Sequence, residues 1–184
     1  MNLLNTFLLL ITVFFTVFAE SALDISRRIL GAQIDLLPAF VVYAGLNGDL
    51  FTLVFVAIGG GLLFDALSAN PLGASILPLF SPGLVLHLKR GLILREQWTA
   101  QCVLGLIACG TVPALTVLML FSAGETPLLG WGSLWQWFVM CVVGGICTPV
   151  VFRWFQWMND AFSYRRAVAT SFRADRQIRR GRKP

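Results

Sequence analysis

Charge is what this chain has least of. Only 12% of its 184 residues are Asp, Glu, Lys or Arg, about half the share of an ordinary soluble domain. That scarcity excludes a water-facing surface over most of the length. Histidine is scarcer still, with His87 standing alone. The four cysteines at 102, 109, 141 and 147 form no C-x-x-C pair. A structural zinc site needs closely spaced Cys and His ligands, and a disulfide framework needs a different distribution. Neither a metal nor another cofactor is expected, and the cysteines read as small hydrophobes inside apolar runs. Catalysis is not expected either. Ser75, in Gly73-Ala74-Ser75, and His87 are twelve residues apart in one run, about 18 Å along a helix, too far for a nucleophile–base pair. No acid-rich motif for lipid-phosphate chemistry is present.

What the chain has instead is apolar runs: 57% of the residues are hydrophobic. Runs of roughly 17 residues or more suffice to span a bilayer, which predicts an all-α, polytopic membrane bundle. The run at 3–18 has no Lys or Arg before it, as a signal peptide would, so it reads as an uncleaved first span. Two shorter runs, 36–46 and 50–64, are divided by Asn47-Gly48-Asp49, a strong turn signal. Together they are too long for one straight span, so two helices or one broken helix follow. The run at 72–88 contains Pro78 and Pro82. Proline inside a helix frees a carbonyl, which in lipid must find a hydroxyl or a neighbouring helix. The last two spans cover 98–121 and 131–155, with Pro113 and Pro149 as kinks.

All six tryptophans, at 98, 131, 135, 137, 154 and 157, lie near the ends of these last two spans, as an interfacial aromatic belt requires. Small residues let helices approach closely in lipid. Gly59, Gly60 and Gly61, Gly105 and Gly110, and Gly144 and Gly145 are therefore expected to pack spans three, five and six together. One transmembrane domain should occupy residues 1–157 and a basic tail 158–184. From Arg153 onward the chain carries nine of its fourteen basic residues and two acids, a local charge of 9 − 2 = +7. Short basic segments mark the cytoplasmic side, so the tail and the Lys89–Arg95 loop are read as cytoplasmic. Six spans leave Arg27 and Arg28 outside; five bring them in. The charge bias points to five and the Asn-Gly-Asp turn to six. Arg165, Arg166, Arg173, Arg176, Arg179 and Arg180 should lie on anionic lipid, at about 1 kcal/mol per residue. The alternative is an acidic cytoplasmic protein; nucleic acid is not expected.

The most distinctive stretch is Gly59-Gly60-Gly61-Leu62-Leu63-Phe64-Asp65-Ala66-Leu67-Ser68-Ala69-Asn70-Pro71-Leu72-Gly73. Ser, Asn, Pro and Gly bend without strain, and Pro71 suits the first position of a helix. The bland reading is a turn between two membrane helices, begun by Asp65 accepting local backbone N–H groups. This stretch, with Asp35-Leu36-Leu37 before it and His87-Leu88-Lys89-Arg90 after it, resembles the bacterial rod shape-determining protein MreD family over residues 3–155. Basic residues common in the family's counterpart of the Asn47-Gly48-Asp49 turn are missing here.

The resemblance implies a non-enzymatic component of the cell-elongation machinery in the bacterial inner membrane. It implies a fold similar to the substrate-binding subunits of energy-coupling-factor vitamin transporters. Its partners would be an MreC-like bitopic protein and, indirectly, the actin-like MreB and the wall synthases; homo-oligomers stay open. Asp65, Ser68, Pro71, Leu72 and Gly73 become candidates for a partner contact as well as for a turn. The alternative function is a vitamin-transporter subunit, against which the first span offers no Ala-x-x-x-Ala face.

Overall fold

A computed structural model describes residues 3–22, 31–68, 70–93, 97–124 and 130–170, with residues 3–4 and 161–170 described by their backbone alone. Among them the chain forms six helices: α1 (Leu3–Ala22), α2 (Leu37–Asn47), α3 (Leu50–Leu67), α4 (Ile76–Leu88), α5 (Trp98–Ser122) and α6 (Trp131–Thr170). Four of them, α1, α3, α5 and α6, are long and apolar enough to cross a membrane. The helices α2 and α4 are shorter, 11 and 13 residues, or about 16 and 20 Å.

The short α2 is the centre of the bundle. Every residue from Leu37 to Leu46 is buried, as expected of a helix that is apolar all round. It packs on each of the other five helices. Both of its ends are closed by side chains outside the helix. At its start, Asp35 Oδ1 accepts the Leu37 N–H at 2.9 Å and Glu20, from the end of α1, accepts the Leu36 N–H at 3.1 Å. These are donors a helix leaves unpaired. At its finish, the His87 ring meets the Gly45 carbonyl at 3.2 Å and Arg90 reaches the Gly48 carbonyl at 3.5 Å, where a helix leaves acceptors and favours cationic groups.

The Asn47-Gly48-Asp49 turn divides two helices that fold back on each other. Gly48 and Asp49 are extended, with ψ of 171° and 162°. Gly60, ten residues into α3, abuts the Leu37 side chain at the far end of α2, so the pair is a hairpin and not one broken helix. The next reversal brings Ile76 of α4 against Gly61. The helices α2 and α4 then cross where Gly45 meets Gly83: a Cβ on Gly45 would come 2.7 Å from the Gly83 carbonyl oxygen. The largest interface joins α5 to α6.

Two expectations about the fourth run need correction. Its helix begins at Ile76, not at Pro71, because residues 71–75 are spent on the turn described below. Pro78 consequently lies in the first helical turn, where a missing N–H costs nothing, and Pro82 alone is interior. The carbonyl that Pro82 leaves without its helical donor is that of Pro78. The Ser81 hydroxyl donates to it at 3.3 Å, which is how a proline break survives in lipid. The long α6 runs unbroken past residue 157 to Thr170, so the boundary between bundle and tail falls inside a helix.

Candidate functional site: the Asp65 turn

The reversal between α3 and α4 is organised by one carboxylate. Asp65 sits in the last turn of α3 and is 2% exposed. Its Oδ2 accepts the Gly73 N–H at 2.9 Å and the Ser75 N–H at 3.1 Å, and its Oδ1 accepts the Ser75 hydroxyl at 2.5 Å. Three donors converging on one carboxylate neutralise much of the cost of burying it. The Ser68 N–H bonds back to the Asp65 carbonyl at 3.3 Å, and the Ser68 hydroxyl accepts the Asn70 N–H at 3.3 Å. The Ala74 N–H to Pro71 carbonyl bond, 3.1 Å, closes the tip.

Gly73 is required here by its backbone. Its φ is +93°, a region that a residue with a Cβ enters only at a cost. The bend aims both the Gly73 and Ser75 N–H groups back at Asp65. Ser75 directly precedes Ile76, so the carboxylate also sits where the start of α4 presents unpaired donors and positive dipole. The side chain that fixes one helix end thus belongs to the neighbouring helix. The turn extends to Ser75, because the donors lie on its far limb.

With the limbs tied, the tip faces outward. Pro71 is exposed and Leu72 is 72% exposed. The turn lies at the opposite end of the bundle from Lys89 and Arg90, since α3 ends there and α4 begins there.

The glycines separate into two seams. In the first, a Cβ on Gly105 of α5 would lie 2.6 Å from the Thr148 Cβ of α6, and one on Gly144 would lie 2.7 Å from the Cys109 Cβ. Gly110 meets the Cys141 sulfur, and Gly145 meets Leu106 and the Cys102 carbonyl. The buried Thr148 hydroxyl donates to the Gly144 carbonyl at 2.7 Å, leaving no polar atom loose in this contact. In the second seam Gly60 and Gly61 face Leu37 of α2 and Ile76 of α4. The expected junction of Gly60 and Gly61 with the last two spans is therefore replaced by one with the two short helices, which intervene. Gly59 has nothing within 4 Å of a Cβ and is no packing residue.

All six tryptophans are 45–88% exposed. Trp98, Trp154 and Trp157 lie toward the end of Lys89 and Arg90, and Trp131 and Trp135 toward the end of the Asp65 turn, the two levels an aromatic belt occupies. Trp137 departs from that expectation: its indole N–H donates to the Gly110 carbonyl at 2.9 Å, halfway along α5. Arg165 and Arg166 are on α6, with only their backbone described; Arg173, Arg176, Arg179 and Arg180 lie outside the described residues.

Sequence reasoning missed three features. Ser75 as partner of Asp65 had a signal: Ser immediately before an apolar run is a common helix start. At the start of α2, Asp35 also had one, an acidic residue just ahead of Leu36-Leu37-Pro38 that accepts the N–H two positions on; Glu20 had none, because sixteen positions separate it from the N–H it accepts. The third is His87, half-buried against the last turn of α2. No known protein family, curated protein or solved structure matches the chain.

Proposed function

We propose that this chain is a non-enzymatic membrane scaffold of the bacterial rod-shape machinery, and that its Asp65 turn contacts an MreC-like bitopic partner outside the cytoplasm. One observation carries the reading. The residues on which the MreD resemblance chiefly rests, Asp65, Ser68, Pro71, Leu72 and Gly73, belong to a single tied turn that presents Leu72 to its surroundings. With both limbs of the turn fixed by Asp65, the tip holds Leu72 outward in one defined position, where a partner can reach it.

Orientation follows from charge. The Lys89–Arg90 end is cytoplasmic by the positive-inside rule, which puts the Asp65 turn on the outer side, where a bitopic partner has its main segment. Alternating helices bring both termini of the bundle to the cytoplasmic end, in keeping with the hydrogen bond between Asn5 of α1 and Asn159 of α6.

Depletion of the protein from its native bacterium tests the proposal. Rod-shaped cells should round and be restored by the wild-type chain, but not by Leu72→Lys at equal membrane abundance. Cells that stay rod-shaped on full depletion contradict it. Loss of vitamin uptake with unchanged shape would favour the transporter subunit.

A further inference from the structure

A groove runs along the outside of the α5–α6 pair at the end that carries Lys89 and Arg90. It has a volume of about 740 Å³, within the range of ligand sites. Toward the middle of the bundle it is apolar, lined by Cys102, Ile146, Pro149 and Val150, and toward the Lys89 and Arg90 end it is lined by Trp98, Arg153, Trp154 and Trp157. Arg153 is the only charged residue among those lining it. Trp154 and Trp157 lie with ring centroids 5.9 Å apart, making an aromatic rim at headgroup depth.

We propose that this groove holds one anionic phospholipid, with its phosphate on Arg153 and an acyl chain against Ile146 and Val150. The argument is one of charge and depth together. From Arg153 to Ile146 is two turns of α6, about 10 Å, so a lipid whose phosphate meets the guanidinium lays its first methylenes beside Ile146. Ile146 and Val150 are each 63% exposed, an apolar wall with nothing of this chain over it among the described residues. An arginine at the rim extends its charge to the interface, and its planar fork matches phosphate oxygens in pairs. Tryptophan belongs at this depth because its ring is apolar and its N–H is not. A zwitterionic lipid fills the same wall but brings its own cation to Arg153, so the site should distinguish lipids by headgroup charge. The tail is a separate element: it attracts anionic lipid diffusely, and its attraction is screened by salt.

The test uses the full-length chain in detergent with equal phosphatidylglycerol and phosphatidylcholine, read by native mass spectrometry at high salt to suppress the tail. The wild-type chain should retain one phosphatidylglycerol over phosphatidylcholine by roughly fivefold, the ratio equivalent to about 1 kcal/mol for one basic residue. Arg153→Gln should reduce that preference to near parity. Ile146→Trp, which fills the groove and keeps the charge, should lower retention of both lipids. Both positions are exposed, so neither change disturbs the bundle, and thermal melting verifies that. An Arg153→Gln chain with the wild-type preference, or an Ile146→Trp chain with wild-type retention, overturns the proposal. So does a wild-type chain with no preference. The outcome is independent of which cellular machine the chain serves.

Discussion

Replacing Asp65 by alanine removes the acceptor for two backbone donors and one hydroxyl at once. The hydroxyl of Ser75 can turn to another acceptor, but the two N–H groups cannot move without undoing the turn. A buried donor left unpaired costs about 1–3 kcal/mol. Ser75 is buried and should take the upper half of that range; Gly73 is half-buried and should recover part of its loss from water. The expected destabilisation is therefore about 2–4 kcal/mol. Asp65→Asn keeps one carbonyl oxygen as acceptor and offers an amide to the Ser75 hydroxyl, so it should lose about half as much. Two readouts separate local from global effects: unfolding of the purified chain in one detergent, and amide hydrogen exchange at Gly73 and Ser75. Exchange at both should accelerate in Asp65→Ala before the rest of α4 is affected. An alanine variant that unfolds like wild type, with unchanged exchange at these two amides, refutes the claim that this carboxylate holds the turn. An Asp65→Asn chain that is stable yet fails to co-purify with the proposed MreC-like protein, where the wild type does, shows that the carboxylate has a role beyond the turn.

Other predictions follow from packing and burial. Gly105→Ala drives a methyl into Thr148, which is fully buried on α6, and should cost about 1–3 kcal/mol by overpacking; Gly59→Ala meets nothing and should stay within about 0.5 kcal/mol of wild type. Equal melting of the two variants would contradict the two-seam arrangement. Burial pushes the Asp35 carboxyl from its ordinary 3.8 up to about 6, against the lowering effect of the Leu37 N–H. Its protonated form is thus favoured in the fold, so its contribution is complete below about pH 4 and is lost as pH rises through about 6, by on the order of 3 kcal/mol. Detergent unfolding from pH 4 to 7.5 should show that decline in wild type and a flatter profile in Asp35→Asn; a flat wild-type profile contradicts it.

The boundaries of the apolar runs were legible because scarcity of charge and the Asn-Gly-Asp and Ser-Ala-Asn-Pro turns punctuate them plainly. The centrality of α2 was not. Its residues are apolar on every side, so periodicity distinguishes no face, and only its length hinted that it could not reach across a bilayer. The start of α4 was displaced because Pro71 suits a first helical position as well as it suits a turn. What decides between them is the reach of Asp65 to Gly73 and Ser75, a contact across eight and ten positions. Glycines announced close approach without naming a partner, and so Gly60 and Gly61 were assigned to the wrong neighbours. Gly45 and Gly83, where the two short helices cross, did not stand out: Gly45 is a single glycine in an apolar run, and Gly83 follows Ser81-Pro82 and reads as part of a proline break.

The central claim concerns what touches the tip of the Asp65 turn, and a photo-crosslinker placed there tests it most directly. Position 72 is 72% exposed at the end proposed as extracytoplasmic, and position 92 is 86% exposed beside the basic loop at the other end. In native membranes, the probe at 72 should capture an MreC-like bitopic protein, and the same probe at 92 should not. Capture of that partner from 92 alone, or of nothing but lipid from 72, would contradict the account.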